Sequence, residues 1–331
     1  MKIAVTGDLQ FSEQTKLSYQ TEEGVTSRLR DQVQCFAWMV EQAVMQHCEG
    51  LVVLGDIFDP RRSIPVPVID RACRAFSVAS EHLWIAAVMG NHEAYKRTPE
   101  INSLQALLGV AEIWDAPGVD GELAFVPWTE EPGAYRKAIG EVAGQGARYL
   151  FSHVTLDGAV PAAGVGIPKK DLRPHRWRRI LLGDVHEPLA FPPNIQYAGA
   201  PMQHHFGDVA GERGFWVLDT DSADLDFVVN DVSPRFHYVE EAADLEGIRE
   251  NDFVRVRAED PDLAEELALR AGRLASWVES ETVRLEELPP RLDVKGVESA
   301  EGILRRWVEH TESEIPGLVA TGLDLLTEVE G

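Results

Sequence analysis

Short apolar runs that stop at a glycine or a small polar residue set the rhythm of the first half of this chain. Ile3-Ala4-Val5-Thr6-Gly7 ends at Asp8, and Leu51-Val52-Val53-Leu54-Gly55 ends at Asp56. Leu83 to Met89 and Gly90 lead to Asn91 and His92. Tyr149-Leu150-Phe151-Ser152 leads to His153, and Ile180-Leu181-Leu182-Gly183 to Asp184 and His186. A run of this kind reads as a buried strand, and open α/β sheets hold ligands at the carboxyl ends of their strands. Between the runs, Leu29, Val33, Phe36, Ala37, Val40 and Val44 mark one face of an amphipathic helix. Ile69, Ala72, Cys73 and Phe76 mark a second. Residues 11–26 are polar and aperiodic and predict a loop, and Pro60, Pro65 and Pro67 predict a rigid one after Asp59.

The pattern changes further on. Residues 101–109 and 133–144 have helical composition, Leu123 to Val126 reads as a strand, and 154–175 as a long loop. Ile195 to Tyr197, Phe215 to Leu218 and Leu225 to Val229 are short β segments. An α/β start with a β-rich finish predicts an α/β sandwich of two facing sheets flanked by helices over residues 1–232. A boundary near Ser233-Pro234 opens a small β-α-β domain, 233–288: a strand at Phe253, Val254 and Val256, a helix from Pro261 to Ala275, and a strand at Val283 and Leu285. Pro289-Pro290 starts a linker, and residues 289–331 carry two amphipathic stretches, one with Ile303, Leu304 and Trp307, the other with Leu318, Val319 and Leu326.

Composition narrows the class. A chain of 331 residues exceeds one ordinary core. No apolar run approaches a membrane span, and the amino terminus enters a strand without a secretory pattern, so a cytoplasmic protein is expected. Cys35, Cys48 and Cys73 show no paired spacing and read as thiols of a reducing compartment. The net charge of −24 opposes nonspecific attraction to nucleic acid or anionic membranes. A local exception is the basic run Lys169, Lys170, Arg173, His175, Arg176, Arg178 and Arg179.

Carboxylates, an amide and imidazoles at neighbouring strand ends can hold two divalent cations about 3.5–4 Å apart, with one shared carboxylate between them. Asp56 suits the shared position. Taken singly, a Gly-Asp after a strand is usually a turn and a lone histidine usually structural. The ordered series is what carries the signal.

Gly7-Asp8, Gly55-Asp56-Ile57-Phe58-Asp59, Gly90-Asn91-His92-Glu93, Ser152-His153 and Gly183-Asp184-Val185-His186 together resemble the motifs of the calcineurin-like metallophosphoesterases. Within that superfamily the chain looks most like the SbcD nuclease subunits, which handle DNA double-strand breaks. Tyr197-Ala198-Gly199-Ala200-Pro201, Phe206-Gly207-Asp208 and Arg213-Gly214-Phe215 resemble the segment after their last metal motif. The resemblance implies that Asp8, Asp56 and His186 hold one metal ion, and that Asp56, Asn91, His153 and Asp184 hold the other. It implies that His92 contacts the scissile phosphate or protonates the leaving oxygen. It casts Asp59 and Glu93 as residues that orient the ligands. It also implies that the 233–288 domain caps DNA and that the terminal helices bind an SbcC-type ABC ATPase. The whole is implied to be a homodimer within a larger DNA-repair complex.

Two positions depart from the family pattern. Asp8-Leu9-Gln10 stands where a histidine usually fills the third place, and Asp184 stands where a histidine opens the last motif. Gln10 either offers its carbonyl oxygen or leaves its place to water. Asp184 ligates through oxygen. An oxygen-rich, more anionic site suits Mn²⁺, with Mg²⁺ as the alternative, over Zn²⁺.

Contacts to DNA are expected from Arg61 and Arg62, just beyond Asp59, and from Lys169, Lys170 and Arg173, which could grip phosphates. The plainer reading of the latter is a solvated basic loop, and of Trp177 a core residue. Two other functions fit the motifs: a phosphoesterase for small phosphodiesters or phosphoproteins, and a scaffold whose site has decayed, for which Gln10 and Asp184 are the motive.

Overall fold

The computed structural model describes residues 1–95, 101–160 and 166–282. Met1–Ala258 and Asp262–Glu281 form one compact unit. Glu259–Pro261 and Thr282–Gly331 fall to a second, of which only Glu259–Pro261 and Thr282 are described. The expected strand at Val283 and Leu285, the proline linker and both amphipathic stretches lie outside the described residues.

The first sheet holds β1 (Lys2–Thr6), β2 (Gly50–Val53), β3 (Trp84–Val88) and β4 (Glu112–Trp114) as parallel neighbours. Further along the chain, β11 (Gly214–Asp219) runs antiparallel beside β1, and β12 (Leu225–Val229) closes that edge. The second sheet is built on parallel β6 (Leu123–Val126), β7 (Tyr149–His153), β8 (Arg179–Gly183) and β10 (Ile195–Tyr197). Short antiparallel edges, β5 (Gly118–Asp120) and β9 (Ala190–Phe191), flank it. Three buried layers follow from strand alternation. Ile3, Val5, Val52 and Leu54 face Phe125, Tyr149, Phe151 and Leu181 between the sheets. Ala4, Leu51 and Val53 point outward to α1 (Ser27–Met45) and α2 (Val66–Ser80). Ala124, Leu150 and Ile180 point outward to α3 (Pro132–Ala143). Strands buried on both faces need no polar alternation, which is why they read as unbroken apolar runs.

Local chemistry sets the helix ends. The Thr26 hydroxyl accepts the Leu29 N–H at 3.3 Å and caps α1. The buried stripe of α1 runs Leu29, Cys35, Phe36, Met39, Val40 and Ala43, whereas Ala37 and Val44, assigned to the apolar face from sequence, are exposed. That assignment drifted one position around the cylinder toward the rim. Helix α2 starts earlier than the prolines suggested, because Pro67 sits in its first turn, where its missing N–H costs no bond. The helix expected over 101–109 is a short 3₁₀ helix, Ser103–Leu107.

After the Asn230 corner, where the side-chain oxygen accepts the N–H groups of Val232 and Ser233 at 3.1 Å, a third sheet follows. Its order is β13 (Phe236–Val239), β14 (Phe253–Ala258), β15 (Trp277–Thr282). Leu267 and Ala271 of α4 (Pro261–Ala271) pack on Val239, Val254 and Val256 of one face. Phe236 and Phe253 of the other face pack on Phe206. The sequence reading missed β13 and looked for the last strand beyond β15. No helix among the described residues is long and apolar enough to cross a membrane.

Candidate metal centre

The carboxyl ends of β1, β2, β3, β7 and β8 meet on one edge of the two sheets, and each delivers a polar residue there. Asp8, Gln10, Asp56 and Asp184 hold left-handed backbone, with φ of 53°, 47°, 52° and 94°. Such non-glycine residues cost about 1–3 kcal/mol each and persist where the surroundings over-determine them. Here they do. The Asp8 N–H donates to Gly55 O at 3.0 Å and the Gln10 N–H to Asp56 O at 2.9 Å. The buried Glu93 carboxylate accepts four backbone N–H groups, from Gly90 (2.8 Å), Asp56 (2.9 Å), Ile57 (2.8 Å) and Phe58 (3.2 Å). It ties the turn after β2 to the turn after β3. Gly183 lets the strands close: a Cβ there would lie 2.0 Å from Leu54 O and 2.9 Å from His153 Nδ1.

His153 is fully buried. Its Nδ1 lies 2.7 Å from the Leu54 carbonyl, an acceptor, so Nδ1 carries a proton and Nε2 is the nitrogen turned toward the centre. That Nε2 stands 3.5 Å from Asp56 Oδ1 and 3.5 Å from Asp184 Oδ1. Among the described residues it has no hydrogen-bond partner, and neither do the buried Asp8 Oδ1 and Asn91 Oδ1. Orphaned acceptors facing carboxylates fit a divalent cation: donors each ~2.1 Å from one ion stand roughly 3–3.5 Å apart. The charge balance points the same way. Burial pushes the Asp8 carboxyl up to about 7, against the pull of His186. Burial would lower His153, but Asp56 and Asp184 hold it well above its ordinary value. Asp184 is fixed by the Thr155 hydroxyl and by its N–H, which donates to Asp8 Oδ2 at 3.3 Å. Burial would raise its carboxyl; His153 and Thr155 outweigh that and hold it low.

A second group gathers around His186. Its Nδ1 faces both carboxylate oxygens of Asp208, at 3.1 and 3.2 Å, and its Nε2 lies 2.9 Å from Gln10 Nε2. Asp208 also accepts the His204 N–H at 2.8 Å. His204 Nε2 donates to Asp8 O at 2.8 Å, and burial lowers its ring to about 3, so it stays neutral. His186, His205 and Asp208 place ligand atoms within 4.8 Å of one another. Asp208 is already shared between the His186 ring and the His204 N–H, so this cluster reads as the support of His186.

His92 stands at the rim. Its Nδ1 lies 2.7 Å from Asp59 O, its N–H donates to Asp56 Oδ1 at 3.0 Å, and its Nε2 is 3.7 Å from Asp56 Oδ2. The bond to the Asp59 carbonyl fixes the proton on Nδ1 and leaves Nε2 on the centre's side.

The structure therefore brings together Asp8, Gln10, Asp56, Asn91, His92, His153, Asp184 and His186. Arg61 and Arg62 are exposed on the segment after Asp59. None of the described contacts of Lys169, Lys170 and Arg173 is with a residue of the centre. Lys169 reaches Pro192 O at 3.3 Å, and the Arg173 guanidinium packs against Gly140 of α3. Arg176, Arg178 and Arg179 are spent on backbone carbonyls of Ala143 and of residues 220–223. Trp177 is buried, with its indole N–H on Leu172 O. Cys35 and Cys48 are buried thiols, pushed up to about 12 and about 11 by desolvation.

Sequence reasoning missed Asp208, His204 and Thr155. Phe206-Gly207-Asp208 was noticed without a role for its acid, and the doublet His204-His205 was the signal beside it.

A family model described as calcineurin-like phosphoesterase matches residues 1–230. Exonuclease subunit 1 of Enterobacteria phage T4 is 25% identical over 198 residues, which cover 56% of this chain and 57% of the phage protein. The chain thus matches little more than half the length of that curated relative. Among solved structures, a dimetal phosphatase from Danio rerio is 12% identical with a TM-score of 0.40, covering 66% of this chain and 91% of that one. Yfce, a phosphoesterase from E. coli, is 13% identical with a TM-score of 0.34, covering 68% and 96%.

Proposed function

The chain belongs to the calcineurin-like phosphoesterase family, and from that premise we propose that it is a DNA nuclease, an exonuclease or endonuclease subunit that hydrolyses phosphodiester bonds with two Mn²⁺ ions. Family membership implies a metal-dependent phosphoesterase with two divalent ions. The observation that carries the reading is that His153 Nε2, 3.5 Å from Asp56 Oδ1, is buried and unpartnered among the described residues, as are Asp8 Oδ1 and Asn91 Oδ1. Asp8, Gln10, Asp56 and His186 would hold one ion, and Asp56, Asn91, His153 and Asp184 the other. Such a pair lowers the pKa of water and polarises a phosphoryl oxygen. The oxygen-rich donor set favours Mn²⁺, or Mg²⁺, over Zn²⁺.

The protein's own residues do the positioning. The Leu54 carbonyl fixes the His153 tautomer, and Asp208 fixes that of His186. Glu93 holds the Asp56 backbone. His92, only 18% exposed and with Nε2 on the centre's side, would contact the phosphate or, with that nitrogen protonated as well, hand its proton to the leaving oxygen. Similarity to a phage protein called exonuclease subunit 1 supports DNA as substrate. A complex with an SbcC-type ATPase, a homodimer and a cytoplasmic site of action belong to the same reading.

The test is a substrate panel with purified protein and Mn²⁺: duplex DNA ends, cyclic nucleotides and phosphopeptides. DNA should be degraded, and Asp56→Ala and His92→Ala should each abolish this. Turnover confined to the small substrates would reassign the activity. A catalytically decayed scaffold is the reading that the Gln10–His186 contact favours, since an amide occupies the imidazole's Nε2. Purified protein that retains no Mn²⁺ and cuts nothing would establish it.

A further inference from the structure

We propose that the crevice between the third sheet and the loop after β1 binds one nucleotide unit of the substrate strand, next to the scissile phosphate. Lys16, Arg28 and Arg255 would hold its phosphate, and Tyr238 would face its base. The inference rests on the nuclease reading and names where the strand runs.

The crevice has a volume of about 390 Å³, within the range of small-molecule sites. Its walls come from Gln14, Lys16 and Leu17, from Arg28, from residues 204–207, and from Phe236, Tyr238 and Arg255. The chain carries a net charge of −24, yet these walls include Lys16, Arg28 and Arg255 and not one aspartate or glutamate. Among the described residues Lys16 is exposed and makes no ion pair. Arg255 stacks on the Phe206 ring, 4.0 Å from its centroid, and is held from behind by Glu279.

Arg28 is the decisive group. It is 1% exposed, with its guanidinium 5.2 and 4.7 Å from the Phe236 and Phe253 ring centroids. One nitrogen, Nη2, donates to the carbonyls of Gln203 and His204, at 3.4 and 3.2 Å. Its Nε and Nη1 have no hydrogen-bond partner among the described residues. Buried donors left unsatisfied are rare in folded proteins because each is costly, and one that lines a crevice calls for an acceptor from outside the chain. A phosphate accepts from a guanidinium fork through several oxygens.

Position makes the ligand a piece of the substrate rather than a separate metabolite. His204 and His205 form the wall between crevice and metal centre, with ring centroids 5.3 and 5.7 Å from that of His186. His204 bonds the Asp8 carbonyl at 2.8 Å. A strand cut at the centre therefore passes the crevice with its neighbouring nucleotide. Arginines and aromatic faces in one groove are what unpaired nucleotides recognise, through phosphate contacts and stacking.

The test uses the full chain and the double variant Lys16→Gln/Arg255→Gln, whose side chains reach the surface. Anisotropy of fluorescein-labelled oligothymidylate reads binding, and Mn²⁺-dependent hydrolysis of bis-p-nitrophenyl phosphate, too short to reach the crevice, reads the metal centre. The double variant should bind the oligonucleotide about tenfold more weakly, with a salt dependence of log Kd flatter by about 0.7, the share of one single-stranded phosphate. Hydrolysis of the small diester should match the parent within about twofold. Equal oligonucleotide affinity and equal salt slope, in a parent that cuts the oligonucleotide, would remove the subsite and leave the nuclease standing. A parent that hydrolyses the small diester but neither binds nor cuts the oligonucleotide would remove both.

Discussion

The Nε2 atoms of Gln10 and His186 lie 2.9 Å apart. Because His186 Nδ1 is engaged by Asp208, Nε2 is the nitrogen left to offer a lone pair to a cation, and the Gln10 amide covers it. A cation can take that lone pair only when the amide turns its oxygen inward or withdraws. Among the described residues His153 Nε2 has no such competitor. The two metal positions are therefore unequal.

Calorimetric titration of the apo protein with Mn²⁺ should show two steps, the tighter belonging to the His153 side. Gln10→His replaces a competing amide by an imidazole ligand and should tighten the weaker step by about tenfold, or ~1.4 kcal/mol. Two identical sites in the parent protein would refute the inequality.

Asp208 should matter to metal retention more than to folding. Its carboxylate fixes the His186 proton on Nδ1 and raises the basicity of Nε2, as carboxylates behind ligating imidazoles do. Asp208→Asn should weaken Mn²⁺ at the His186 side by about 10–100-fold. The thermal midpoint in EDTA should move little, and the rise in midpoint on adding Mn²⁺ should shrink. A purely structural role would lower both midpoints together.

Glu93 is the opposite case. Four backbone N–H groups converge on one buried carboxylate, so Glu93→Gln puts amide hydrogens against donors that then have no acceptor. Each buried donor left without its acceptor costs about 1–3 kcal/mol. The variant should lose about 3 kcal/mol or more in urea unfolding, and its Mn²⁺ binding should fall with it because Asp56 is no longer held. A loss below about 1 kcal/mol would mean that the turn is fixed by something else.

How far the centre was legible follows from how each residue is placed. Asp8, Asp56, Asn91, His153 and Asp184 sit at or just past strand ends, and an apolar run that stops at a polar residue announces such a position. Asp208 ends a short 3₁₀ helix, Phe206–Asp208, and reaches the site only through packing, so no period in the sequence marks it; Thr155, just past β7, stands behind His153, which drew the attention at that strand end. The same holds for the sheets. Strands β1, β2, β7 and β8 are buried on both faces and show as apolar runs. Strands β4, β5 and β9 are two- or three-residue edges with exposed members, and edges that short carry no pattern. In β13, Phe236-His237-Tyr238-Val239 mixes an aromatic face with a histidine bound to Asp252, which hid the strand. In the basic run from Lys169 to Arg179, local charge density says nothing about the backbone carbonyls that Arg176, Arg178 and Arg179 reach.

The junction of the third sheet provides a pH test away from the metal ligands. Asp252 is almost fully buried and accepts from His237 Nε2 at 3.0 Å, the Arg235 N–H at 2.8 Å and the Arg249 guanidinium at 3.1 Å. Burial alone would raise its carboxyl, but these donors outweigh it and hold it at about 2, against 3.8 ordinarily. A carboxyl lowered on folding contributes stability that is complete above its unfolded value and disappears as pH falls through the folded one. The contribution is therefore present at pH 5 and above and lost between roughly pH 4 and pH 2, and it amounts to about 1–2 kcal/mol once solvent at the rim of the group is allowed for. Asp252→Asn should cost that much at pH 6, and the gap between variant and parent should close by about pH 2. Urea unfolding of both proteins across this range measures it. A gap that stays constant with pH would show that the aspartate acts there by shape and hydrogen bonding, without its charge.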